Sequence, residues 1–251
     1  MKNQYVGDIG DYGKYGLLRF LAEKGVRIGV NWYLTENDKT TDGNKTEYLN
    51  ESNYGCYDEE LFEKLRPIAQ KEKHRKRIHD VENAEIIPNA VFYKEMLKSA
   101  DEATRKMWHQ KAMDTLRDVD LVFADPDNGT LKYSKEEKGY YRNNGKKYAL
   151  VDELWQYYEK GKDVVYYCHK GRRKKDAWKE KMQEFNADGQ HDASIFVLTF
   201  HRGTQRSFIF AIHPENKDKY SELLREFLNT EWGKIIPKGK KIAPFTWDEP
   251  L

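Results

Sequence analysis

Two carboxylates and a carboxamide, Asp125, Asp127 and Asn128, directly follow an apolar run at 119–124. Later, His169, Lys170, Arg172 and Arg173 follow a second run at 163–168, and His201, Arg202 and Arg206 follow a third at 194–200. Carboxylates beside imidazoles suit general acid–base chemistry, because imidazole titrates near neutrality and a neighbouring carboxylate raises its pKa. Asp125 and Asp127 also suit a hard divalent cation, with guanidinium groups holding a phosphate. A plainer reading competes at each place. Asp-Pro and Asn-Gly are ordinary turn formers. A histidine at a strand end can be a satisfied structural residue, and 172–175 can be the solvated start of a helix. A basic helix start opposes the helix dipole, which favours an anionic partner there.

The elements that must position these groups follow from periodicity. Each of the three runs is short, apolar and bounded by turn residues, as a buried strand is. The carboxyl ends of parallel strands share one edge of a sheet, where ligands bind in open α/β folds. Residues 26–34 alternate through Ile28, Val30, Trp32 and Leu34 and predict another strand, and 85–93 predicts a short one broken or edged by Pro88. Helices are predicted over 58–73, 99–116, 150–160, 174–185 and 214–228, with Asp58 as a cap and Pro67 as a bend or stop. Residues 207–213 turn back as a strand and are expected to pair antiparallel with 194–200. The expectation is one α/β domain with a mostly parallel sheet, a closing antiparallel pair, a helical insertion at about 36–93 and an irregular tail from 231.

The bulk properties exclude some classes. The chain has 251 residues, long enough for a sizeable core. Its mean hydropathy is −0.96, and no run approaches the roughly 20 apolar residues that cross a membrane. The net charge of +2 does not itself announce a nucleic-acid binder, although the basic residues are clustered. Cys56 and Cys168 have neither zinc nor redox-motif spacing, which fits a reducing compartment. No signal peptide is read at 1–6, so a cytoplasmic location is expected. No phosphate loop or dinucleotide fingerprint is present.

Taken together, three motifs resemble the large-subunit ribosomal RNA adenine-N6 methyltransferases of the Rossmann-like type. Gly7-Asp8-x-Gly10-Asp11-x-x-Lys14-Tyr15 is similar to that family's Gly-Asn-x-Ala-Asp-x-x-Lys-His signature. Trp32-Tyr33-Leu34-Thr35, followed by Asp42-Gly43 and Tyr48-Leu49, is similar to its first strand and loop. Asp125-Pro126-Asp127-Asn128 stands in the place of its Asp-Pro-Pro-Tyr, with Asp127 for a proline and Asn128 for the aromatic. The resemblance implies a Rossmann-like methyltransferase fold and an S-adenosylmethionine cofactor near Gly7, Asp11, Lys14, Tyr15 and Thr35. It also implies a nucleic-acid substrate whose target amine meets Asp125.

Three functions are therefore carried forward. The first is nucleic-acid modification of the methyltransferase kind, with Asp125, Asp127 and Asn128 at the target and Lys170, Arg172, Arg173, Arg202 and Arg206 on the phosphates. The second is a metal-dependent nuclease or phosphohydrolase, in which Asp125, Asp127, His169 and His201 serve a metal or act as acid and base. The third is a binding module for RNA or protein that keeps the fold without the chemistry.

Overall fold

Residues 121–124, Leu-Val-Phe-Ala, are buried on both faces, as a central strand flanked by helices must be. The computed structural model describes residues 1–40, 43, 45–131, 143–171, 173–235 and 242–248. In chain order its elements are α1 (Ile9–Glu23), β1 (Ile28–Asn31), α2 (Glu59–Ala69), α3 (Ile78–Asn83), β2 (Val91–Tyr93), α4 (Glu102–Thr115) and β3 (Leu121–Ala124). There follow β4 (Gly129–Leu131), β5 (Tyr148–Leu150), α5 (Val151–Glu159), β6 (Asp163–His169) and α6 (Lys175–Met182). The last are β7 (Ser194–Phe200), β8 (Arg206–Ile212), α7 (Lys217–Asn229) and β9 (Phe245–Asp248).

The main sheet has seven strands in the order β2-β1-β3-β6-β8-β7-β9. The first four are parallel; β8 runs antiparallel to both β6 and β7, and β9 antiparallel to β7. Alternation along each strand divides the core into two layers. Leu121 and Phe123 of β3, with Phe208 and Phe210 of β8, pack under α1, α2, α3 and α7. Val122 and Ala124, with Val164 and Tyr166 of β6, pack under α4, α5 and α6. The result is a helix–sheet–helix sandwich. Asp58 caps α2 by accepting from the Leu61 N–H, and Asp101 caps α4 from Thr104.

One expectation changes, that of a wholly irregular tail. Helices α2 and α3 lie within 36–93, and the short strand expected in 85–93 is β2, an edge strand of the main sheet. The tail is not wholly irregular: 245–248 form β9, because Phe245 buries against Phe200 and Phe227. Of the opening glycines, Gly7 stands in the turn before α1 with φ +79, and Gly10, Gly13 and Gly16 sit inside α1.

Those glycines have a packing reason. Gly10, Gly13 and Gly16 recur every third residue and so fall along one face of α1. A Cβ at Gly10 would lie 1.8 Å from Cζ of Arg206, at Gly13 2.7 Å from the Phe200 ring, and at Gly16 2.2 Å from Trp232. The bare stripe lets α1 lie flat on β7, β8 and the Trp232 indole. Alanine is the better helix former by about 1 kcal/mol. At Gly16 that gain is outweighed by overpacking, which costs roughly 1–3 kcal/mol. Gly16→Ala is expected to lower the urea midpoint; a raised midpoint would refute this packing of α1.

Candidate active site

The flat docking of α1 brings its first turns over the carboxyl ends of β3 and β6. Between them lies a cavity of about 570 Å³, within the usual size of small-molecule sites. Helix α1 contributes Asp8, Gly10, Asp11 and Lys14 to its wall. The turn after β3 contributes Asp125, Pro126, Asp127 and Asn128. Tyr167 and His169 come from β6, Arg206 and Phe208 from β8, and Lys45, Glu47 and Thr204 from two loops.

At its floor is a buried ion bridge. Lys14 Nζ is 2.7 Å from Asp11 Oδ1 and 2.7 Å from Asp125 Oδ2. The other oxygen of Asp11 accepts from Tyr15 Oη at 3.0 Å and from the Gly7 N–H at 3.1 Å. Burial pulls the Lys14 amine down, but the two carboxylates outweigh it and hold its pKa above the ordinary lysine value. Two carboxylates share one ammonium, so Asp125 bears the cost. Burial raises its carboxyl above the ordinary range even though Lys14 opposes this. Asp127 differs. Burial again opposes its charge, but the Met1 amino group at 2.8 Å and Lys2 at 3.5 Å outweigh it, and its pKa is lowered.

His169 borders the same cavity. Its Nδ1 is 3.2 Å from Tyr167 Oη. Burial, then Arg206 and Arg173, lower its pKa below 6.5, so the ring is neutral at pH 7. Arg206 donates to Asp8 Oδ2 at 2.8 Å, and its Nη1 is buried with no partner among the described residues.

Seven of the expected site residues therefore meet around one cavity: Asp11, Lys14, Asp125, Asp127, Asn128, His169 and Arg206. Gly7, Tyr15 and Thr35 stand behind its wall: Gly7 and Tyr15 hold Asp11, and Thr35 Oγ1 is 3.4 Å from Asp127 Oδ2. The remaining basic and imidazole groups are not in the lining. His201 Nε2 is 2.7 Å from Thr246 Oγ1, and its backbone N–H donates to Pro244 O at 2.7 Å. Lys170 pairs with Asp248 at 2.8 Å beside the Trp178 ring. Arg202 is buried and donates to Ile242 O at 3.0 Å. Arg173 donates to the carbonyls of His169 and Lys170. Arg172 lies outside the described residues. The common cause for His201, Lys170 and Arg202 is the chain segment at 242–248, which covers the end of β7 and occupies their polar atoms.

Sequence reading missed Asp8, Tyr167, Lys45, Glu47 and Thr204. Two of them had a signal. Asp8 stands at the N-cap position of α1, and Tyr167 is two residues from His169, hence on the same face of a strand. Lys45, Glu47 and Thr204 come from loops, where no periodicity indicates a direction.

A divalent metal does not suit this donor set. Among the described residues no three His, Cys, Asp or Glu side chains converge to hold an ion. Asp125 and Asp127 are moreover engaged by ammonium groups. The wall presents both signs, with Asp8, Asp11 and Glu47 alongside Lys14, Lys45 and Arg206. No family model matches the chain, and no curated protein is similar enough to count as a relative.

Removing one partner of a buried ion bridge costs about 3–5 kcal/mol. Lys14→Met is expected to destabilise the fold by that order in urea denaturation, and Asp125→Asn by less, because Lys14 keeps Asp11 as its ion-pair partner. His169 is expected to titrate below 6.5 by NMR. Its unfolded value is near 6.5, so protons bind the unfolded chain first. This histidine's contribution to stability is therefore full above that pH and declines as the pH falls toward the folded value; an unshifted midpoint would place the ring in open solvent.

Proposed function

We propose that the cavity is the active site of a nucleic-acid-modifying enzyme of the S-adenosylmethionine-dependent adenine-N6 methyltransferase kind. One observation carries the reading. The two most distant motifs of the resemblance, at 7–15 and 125–128, are joined by the Lys14 bridge from Asp11 to Asp125. The placement of β8 antiparallel between the parallel strands β6 and β7 also accords with such a fold.

In this reading Asp125 orients the target amine by accepting its hydrogen bond, and Lys14 holds that carboxylate in place. Asn128 lines the pocket and makes no side-chain hydrogen bond among the described residues, so its carboxamide is available to a base edge. Gly7, Asp11, Lys14, Tyr15 and Thr35 form the side toward the cofactor. S-adenosylmethionine, when bound, supplies the electrophilic methyl group.

Phosphoester hydrolysis is the second reading. It is favoured by His169, a neutral imidazole on the cavity wall that methyl transfer does not require. Its base would be His169, oriented by Tyr167.

Calorimetric titration with S-adenosylmethionine is expected to show one site per chain, weakened at least tenfold in Asp11→Asn. Absence of both binding heat and thermal shift would remove the methyltransferase reading. Cleavage of a phosphodiester that is lost in His169→Gln would install the second in its place.

A further inference from the structure

We infer that the end of the cavity beside the turn between β7 and β8 is a subsite for one phosphate monoester, formed by Lys45, Thr204 and Arg206. Naming the ligand as a nucleoside monophosphate rests on the proposed function; the phosphate subsite itself does not.

Three independent chain segments meet at this turn. Gly203 has φ +72, and a Cβ there would lie 2.7 Å from Ile9 Cγ2, 3.6 Å from Arg206 Nη1 and 3.7 Å from Lys45 Cδ. Lys45 Nζ is 3.3 Å from Thr204 Oγ1. The Lys45 ammonium, the Thr204 hydroxyl and the Arg206 guanidinium thus lie close to one stretch of backbone, beside the Ile9 methyl. All three border the cavity. The first turn of α1 ends here too: the Ile9 N–H donates to Lys45 O at 2.9 Å, and Gly10 is on the cavity wall.

Donors at this end are left unused. Arg206 has Asp8 as its ion-pair partner. Lys45 lies within ion-pair distance of no carboxylate among the described residues. Arg206 Nη1 is buried with no partner among the described residues, and a buried donor left unpaired is costly until an acceptor joins it. Donors arriving from several directions match a phosphate better than a flat carboxylate.

A single phosphate fits better than a continuous backbone. Lys170, Arg173 and Arg202 could have extended a basic track, but Lys170 pairs with Asp248, Arg173 turns back to two main-chain carbonyls and Arg202 donates to Ile242 O. None of them lines the cavity.

The test is calorimetry on the full chain with AMP, adenosine, inorganic phosphate and a 5′-phosphorylated oligonucleotide with its unphosphorylated twin. AMP is expected to bind at least tenfold more tightly than adenosine, and inorganic phosphate to compete with it. Lys45→Gln is expected to weaken AMP about tenfold and leave adenosine unchanged, the scale of one charge-assisted hydrogen bond. Lys45 is exposed, so this variant folds; Thr204→Val repeats the test at the neighbouring donor. Equal affinity for AMP and adenosine, failure of AMP and phosphate to bind, or indifference to both substitutions would overturn the subsite. Tighter binding of the phosphorylated oligonucleotide than of AMP supports the subsite with a strand end as source; the reverse supports it with a free nucleotide. S-adenosylmethionine is titrated in parallel. AMP binding without it retains the subsite and removes the methyltransferase reading, and the opposite result does the reverse.

Discussion

One ammonium group joins two parts of the chain that lie far apart in sequence. Lys14 stands in the second turn of α1, Asp125 at the exit of the central strand, and 2.7 Å separates their charged atoms. Both are buried, so the interaction is little screened and strongly directional. It also carries a desolvation cost, which well-placed hydrogen bonds must offset. Tyr15 and the Gly7 backbone supply these on the Asp11 side. The bridge sets the angle and depth at which α1 meets the sheet edge, and everything else in the cavity is placed relative to that helix.

The glycine stripe makes this approach sterically possible. Without side chains at 10, 13 and 16, the helix backbone comes within contact of Arg206, Phe200 and Trp232. Gly10 in particular leaves room for the guanidinium of Arg206, which then reaches Asp8 at the helix cap. A residue at the start of β8 is thereby held against the first turn of α1. Glycine is used here less for conformational freedom than for closeness.

A second polar network supports the opposite layer. Arg105 of α4 donates to Glu153 of α5 at 2.6 Å, and Glu153 accepts from Tyr33 Oη at 3.0 Å. Tyr33 adopts φ +44, a conformation costly for an aromatic residue. The Asn31 side chain accepts its backbone N–H at 3.2 Å. These contacts hold the turn after β1, which leads to Thr35 and the back of the cavity. The two edges of the site are thus fastened by buried ion pairs on different faces of the sheet.

Apolar periodicity along the chain determined the α/β class, the parallel strands, most helix positions and the cap at Asp58, because local spacing dictates which face of an element is buried. It also marked the strand-end position of Asp125, Asp127, Asn128 and His169. Tertiary structure alone decided which strand ends share a cavity. His201 and Arg202 look equivalent to His169 and Arg206 in one dimension, yet the segment at 242–248, whose short run has little periodicity, adds an edge strand and occupies their polar groups. Lys45 and Thr204 joined the site for a similar reason: side chains on loops take their direction from what they pack against, and that information is not written in the neighbouring residues.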